Sequence, residues 1–266
     1  MKKFFAVSDI HSYKKELDEA LIAKGFDVNN PNHYLIVCGD ALDRGDESAE
    51  VMNFLKHLHS LGRLVYVRGN HEDLLKQLIS TIRLGGTIGY HHYSNGTFKT
   101  ICDICGIGKY DLLSGCYDKS EFDNSMNELI KFIDDNSVDY YQLGNTVFVH
   151  GWVPTTITSE DDHTETVDVD WRNGDWSKAR WENGQEMFKF GVVPADIDTV
   201  VCGHWHTSWG WKNIKKQCTE WGDDACFDAL IHEQNGKRIV ALDGCTAYTR
   251  QVNVVIFDEN GGIIEE

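Results

Sequence analysis

The sequence predicts an α/β protein, a sheet of buried strands with helices between them, from three observations. Short apolar runs rich in β-branched and aromatic residues recur along the chain, segments with apolar residues at helical spacing separate them, and the runs stop at polar or glycine residues. With 266 residues, 41% of them hydrophobic, the chain can bury about three-quarters of its unfolded surface. Only three prolines occur and no biased stretch interrupts the pattern, so one domain, 1–266, is expected, with insertions at about 85–145 and 151–236.

The first strand is "FFAV" (4–7) and the second "YLIVC" (34–38). Val51, Phe54, Leu55, Leu58 and Leu61 then repeat at helical spacing over 47–61, "LVYV" (64–67) follows, and Leu74, Leu75, Leu78 and Ile82 mark the next helix. Within the first insertion, "EFDNSMNELIKFI" (121–133) reads as an amphipathic helix with Ser120 as its N-cap. Further strands are "TVFV" (146–149), "TVVC" (199–202), "RIVAL" (238–242) and "VNVVIF" (252–257). Trp171, Trp176 and Trp181 lie in a polar stretch, and another Trp-rich stretch spans 205–221; anchoring irregular chain to the core is favoured over lining a cleft.

A net charge of −17 argues against an extended nucleic-acid surface, which needs a basic footprint. The N-terminal "MKKFFAVSDIH" is too short in apolar residues for a secretory signal, and no apolar stretch reaches the ~18 residues of a membrane span, so a cytoplasmic protein is expected. Eight cysteines are then read as free thiols, with Cys38 and Cys202 as small core residues. The lone Cys102/Cys105 pair lacks a second pair and favours thiols over a structural metal.

Five strands end in metal-ligand residue types: Asp9 and His11, Asp40, Asn70, His150, then His204 and His206. Residues two apart on extended chain point to the same side, so Asp9/His11 and His204/His206 can each face one centre. In open α/β sheets the carboxyl ends of the strands are where ligands bind. Seven oxygen and nitrogen donors suit Mn, Fe or Zn, and are about right for two divalent ions sharing a carboxylate. His57/His59 and His91/His92 have helical or adjacent spacing and read as surface residues.

These blocks, "DIH", "GDALDRG", "RGNHE", "HG" and "GHWH", frame residues 4–206 and resemble the calcineurin-like metallophosphoesterase superfamily. The pairing of "GDALDRG" with "RGNHE" is similar to its bacterial and phage serine/threonine protein phosphatase branch. The resemblance implies a four-layer fold of two mixed β-sheets between helices. It also implies that Asp9, His11 and His206 hold one metal, Asp40 bridges, and Asn70, His150 and His204 hold the other. Two departures stand out: Ser12 where the branch usually has glycine, and "GHWH" where it commonly keeps one histidine.

Such a site predicts a metal-activated hydroxide attacking phosphorus. Arg44 and Arg68 are the expected clamps on a terminal phosphate, His71 the acid that protonates the leaving oxygen, and Asp43 its orienting partner. Glu72 is expected to support the loop or start a helix, Asp243 to steady a ligand or cap a turn, and Arg180 is a third candidate phosphate contact. The leading expectation is a phosphomonoesterase, a protein phosphatase among the options. Alternatives are a phosphodiesterase or dinucleoside polyphosphate hydrolase at the same site, and a non-catalytic scaffold using its Trp-rich segments.

Overall fold

The computed structural model describes residues 1–159 and 164–264. Strand and helix alternate at the start: β1 (Lys3–Val7), α1 (Lys14–Ala23), β2 (His33–Cys38), α2 (Ser48–Ser60), β3 (Leu64–Val67) and α3 (Asn70–Arg83). Helices α4 (Tyr90–Ser94), α5 (Thr97–Cys105), α6 (Lys109–Ser114) and α7 (Lys119–Asn136) come next. The chain then runs through β4 (Ser137–Val138), β5 (Tyr141–Leu143), β6 (Thr146–Phe148), β7 (Thr155–Ser159) and β8 (Thr164–Val167). It ends with α8 (Trp176–Ala179), α9 (Gly184–Lys189), β9 (Thr199–Cys202), α10 (Thr207–Asn213), β10 (Leu230–Gln234), β11 (Lys237–Ala241), α11 (Thr246–Thr249) and β12 (Val255–Phe257).

Among the described residues, one five-stranded sheet runs β12-β1-β2-β3-β4 and a second runs β10-β11-β9-β6-β5. Both are mixed: β1, β2, β3 and β4 are parallel and β12 antiparallel, while β6, β9 and β11 are parallel with antiparallel edges β5 and β10. The period-2 alternation of a strand explains the layering. Phe5 and Val7, with Leu35 and Val37, face a core that includes Leu55, Leu58, Leu75, Leu78, Phe98 and Met126 from the helices. Their neighbours Phe4, Ala6, Ile36 and Cys38 face the other way and meet Phe148, Val201 and Val240 of the second sheet. On the outer face of that sheet, Val200, Cys202, Ile239 and Ala241 pack with Trp152, Trp171, Trp176 and Phe188. The result is helix, sheet, sheet, helix. Each fully buried Phe or Leu in these layers contributes roughly 1.5–3 kcal/mol.

Several local expectations shift. Asp118, not Ser120, caps α7: its carboxylate accepts the backbone N–H groups of Ser120 and Glu121, which a longer-reaching acid two residues earlier does better than a hydroxyl. The expected insertion 85–145 is helical only to Asn136, since β4 and β5 already belong to the two sheets. Trp171 and Trp176 are buried anchors, whereas Trp181 is 51% exposed. His57 and His59 lie at the surface and His91 does too, but His92 is only 2% exposed, because α4 and α5 fold it against the rest of the helical layer. All eight cysteines are free thiols; Cys102 and Cys105 sit on α5, partly buried against the helical core.

Candidate metal centre

The parallel strands β1, β2, β3, β6 and β9 all deliver their carboxyl ends to one rim, and the loops leaving them are sharply bent. Asp9, His11, Ser12, Asp40, Asp43, Arg44 and His204 all have positive φ, between 51° and 76°. A non-glycine residue there costs of order 1–3 kcal/mol, so the surroundings must over-determine the conformation. They do: His11 N–H donates to Asp40 O, Ser12 N–H to Ala41 O, and Gly45 N–H to His11 O, all at 2.9–3.0 Å. Ser12, at φ 61°, explains why glycine suits that position; here its hydroxyl is held by Ser48 at 2.9 Å. Gly69 has a different reason, since a Cβ there would lie 2.2 Å from Asp40 Oδ1.

Asp40, 1% exposed, stands where two sets of donors meet. Ligand atoms of His11, Asp40 and His71 lie within 4.8 Å of one another, as do those of Asp40, His150 and His204. His150 Nε2 is 3.2 Å from Asp40 Oδ1 and 2.8 Å from Asn70 Oδ1. His11 Nε2 is 3.8 Å from Asp9 Oδ1 and 3.9 Å from Asp40 Oδ2. Asp9 Oδ2 accepts the His204 N–H at 2.8 Å and the Ser8 hydroxyl at 2.5 Å.

The donor chemistry fits metal ions. His11 Nδ1 faces Leu42 O at 3.0 Å and His150 Nδ1 faces Cys38 O at 2.8 Å, the arrangement that frees each Nε2 as a ligand atom. Burial, then Arg44 and His71, hold His11 well below the ordinary imidazole range, and burial with His150 pulls His204 down to about 4, so both rings are neutral donors. Burial pushes the Asp40 carboxyl up, but His150 and His71 outweigh it and hold it well below the usual carboxylate range. Burial likewise opposes a proton on His150, yet Asp40 raises it to about 10. The place between these side chains therefore calls for positive charge.

Beside Asp40 sits a buried dyad. His71 Nδ1 donates to Asp43 Oδ2 at 2.7 Å, and its Nε2 is 3.8 Å from Asp40 Oδ2. Burial disfavours the imidazolium, but Asp40 and the Asp43 hydrogen bond prevail and raise its pKa. Asp43 is fixed in turn by α5: Thr97 donates to Oδ2 and Thr100 to Oδ1, each at 2.8 Å.

The calcineurin-like phosphoesterase family model matches residues 2–208, which contain the loops just described. The chain belongs to this family. A cold-active protein-tyrosine phosphatase of a psychrophilic Shewanella species superposes with a TM-score of 0.54 at 13% identity, covering 98% of this chain and 76% of that one. A Saccharomyces cerevisiae protein serine/threonine phosphatase gives 0.51 at 16% identity, covering 100% of this chain and 81% of that one. At such identities the likeness is one of fold. Over 71 residues the chain is 37% identical to an asymmetrical bis(5'-nucleosyl)-tetraphosphatase of Bacillus velezensis, which is 24% of this chain and 28% of that protein. The match thus spans less than a third of the curated relative.

As a calcineurin-like phosphoesterase the chain is expected to use metal, and six of the seven predicted ligands converge. His206 does not join them. At the start of α10 its Nδ1 is 2.7 Å from Ser208 Oγ and its Nε2 faces Glu220 Oε1 at 3.6 Å, while Trp221 lies against the ring with centroids 4.4 Å apart. Both ring nitrogens are thus directed elsewhere.

Arg68 is also engaged elsewhere: its guanidinium donates to Asp134 Oδ1 at 2.8 Å and Ser137 Oγ at 3.0 Å, tying β3 to the end of α7. Arg180 pairs with Asp73 at 2.8 Å and with Asp139. Arg44 alone of the three reaches the dyad, with Nη2 3.5 Å from His71 Nε2.

Glu72 does both things expected of it. It accepts the N–H groups of Gly69, Asp40 and Ala41 and the hydroxyl of Tyr66, at 2.7–3.1 Å, while occupying the first turn of α3. Asp243 caps its own turn through the Cys245 N–H at 2.7 Å. Burial and then the charge of Asp9 push its carboxyl well above the usual range. Thr97 and Thr100 are the functional residues the sequence reading missed; two hydroxyls three apart on a short helix carry no motif. Trp181, with its ring centroid 5.9 Å from that of His204, is a second contact, where the sequence reading favoured an anchor over the lining of a cleft.

Proposed function

We propose that the protein is a metal-dependent phosphatase that hydrolyses phosphate monoesters, phosphoserine or phosphothreonine in proteins among them, with two divalent ions of the Mn, Fe or Zn type. The observation that supports this best is Asp40, a buried carboxylate shared by two donor sets and adjacent to an acid-type dyad. Asp9, His11 and Asp40 would hold one ion, and Asp40, Asn70, His150 and His204 the other. Bound there, the ions supply acidification of water and neutralisation of phosphoryl charge.

The chain's own groups do the rest. Arg44 Nη2 and His71 Nε2 approach the same point from two sides, so an anionic phosphoryl oxygen placed between them would accept from both. Asp43 holds the Nδ1–H of the His71 imidazolium, so the proton on Nε2 is the one passed to the departing oxygen as the phosphorus–oxygen bond breaks and water's oxygen bonds to phosphorus. Arg68 enters only if it leaves Asp134. The eight free thiols suit a reducing compartment, and we place the protein in the cytoplasm.

Hydrolysis of a dinucleoside polyphosphate is the second reading. It is favoured by the 37% identical segment and by the engagement of Arg68, which weakens the case for a two-arginine clamp on a monoester. The test is purified protein with Mn, Fe or Zn against p-nitrophenyl phosphate, its bis ester, phosphopeptides and diadenosine tetraphosphate. Metal-dependent turnover of the monoester, abolished by EDTA, is expected; turnover of the bis ester alone would overturn the monoesterase reading.

A further inference from the structure

A pocket of about 600 Å³ opens beside Arg44, away from Asp40, and the helices α4 to α6 build its far wall. Its lining includes Arg44, Lys99, Lys109, Tyr13, Tyr93 and Phe98, with no carboxylate among the lining residues. In a chain with 42 acidic and 25 basic residues, such a lining is a local reversal of charge. Lys99 is paired with Asp46 at 2.5 Å, but among the described residues neither Arg44 nor Lys109 has a carboxylate within ion-pair distance. Arg250, 4.3 Å over the Tyr13 ring, lies near the edge but is paired with Glu16 at 3.9 Å. The aromatic side is equally definite: Tyr93 packs against Phe98 with centroids 4.9 Å apart, and Lys109 Nζ lies 5.9 Å over the Tyr93 ring.

We propose that this pocket holds the nucleoside-phosphate end of a nucleotide substrate whose scissile phosphate lies at Arg44 and His71. The inference rests on the second reading above, hydrolysis of a dinucleoside polyphosphate, and says where its leaving group sits. Unpaired cations in the lining call for more than one negative charge, and the exposed Tyr93 phenol, backed by the buried Phe98 ring, calls for a flat ring; a nucleotide carries both, whereas a phosphoserine peptide brings no ring of its own. Arg44 borders the dyad and lines the pocket, so a phosphate chain can run from one to the other.

The test compares wild type with Lys109→Glu, Lys109→Arg and Tyr93→Ala. Lys109 is exposed, so its replacement leaves the fold intact, and p-nitrophenyl phosphate carries its only charge on the scissile group. For Lys109→Glu, kcat/KM on diadenosine tetraphosphate or ATP should fall roughly tenfold or more while p-nitrophenyl phosphate changes by less than about twofold, and Lys109→Arg should restore the nucleotide rate. Titration calorimetry with a non-hydrolysable ATP analogue, with and without EDTA, should show the same loss of affinity in Lys109→Glu and Tyr93→Ala. Equal losses on both substrates, an unchanged nucleotide rate, or a phosphopeptide rate that falls as far as the nucleotide rate would overturn the pocket assignment. Nucleotide binding that depends on Lys109 in a protein with no turnover of any ester would instead leave the pocket standing and remove the hydrolase reading.

Discussion

On one side of Asp40, His150 and His204 meet Asn70 among buried backbone, with His150 fixed on the Cys38 carbonyl and His204 covered by Trp181. On the other side, His11 shares its surroundings with a hydrogen-bonded dyad, an exposed arginine and a pocket walled by the helices α4 to α6 that lie between β3 and β4 in the chain. The first side can do little but hold a cation. The second combines a holding role with groups that donate protons and face incoming charge. The contrast teaches that one carboxylate can serve both a fixed half and a working half, and that the chain's individuality is concentrated in the latter.

The largest effect should come from what the halves share. Asp40→Asn is expected to lower both metal content, by elemental analysis, and kcat by more than about 100-fold, beyond what loss of a supporting partner costs. Full metal loading with normal turnover would dissolve the comparison. His71→Asn comes next: kcat should fall about 10²- to 10⁴-fold with metal content unchanged, which separates working from holding.

The same residue sets a pH signature. A histidine whose pKa is raised above its ordinary 6.5 keeps its proton to higher pH than a free imidazole, so kcat should decline as pH rises through that raised pKa and the proton is lost. In His71→Asn that limb should disappear, and a pH–rate profile of the two proteins decides it.

Thr97→Val with Thr100→Val should cost roughly tenfold in kcat, since hydrogen bonds to a charged group are each worth about 1.5–3 kcal/mol and part of that loss is absorbed by rearrangement. The nitrogen chemical shifts of His71 should move with it, and unchanged shifts would mean that α5 merely packs. Smallest of all, His206→Ala should leave metal content intact and turnover within about threefold, because its nitrogens face Ser208 and Glu220. Loss of one metal equivalent would restore the ligand role that its position in "GHWH" suggests.

Much of this was legible in the sequence. Alternation in "FFAV" and "LIVC" set which residues face each layer, and the polar clusters at successive strand ends announced the rim. The remainder depends on partners distant in the chain. His206 is decided by Glu220, Arg68 by Asp134, and the burial of His92 by helices packing over the Asp43 loop, none of which leaves a periodic trace. The resemblance gave His206 a ligand role, whereas in the structure a serine two residues on meets its Nδ1. Asp43 was expected to orient His71 and does accept its Nδ1–H, but what holds Asp43 itself is a helix whose residues look unremarkable one by one.

Glu72 carries one last consequence. Because a single carboxylate clasps amides from the turn after β2 and from the turn before α3, those turns form one mechanical unit. Neither can swing without the other, so breathing of this rim should be concerted: the amide protons of residues 40, 41 and 69 ought to exchange with solvent at a common rate, and slackening Glu72 should release them together.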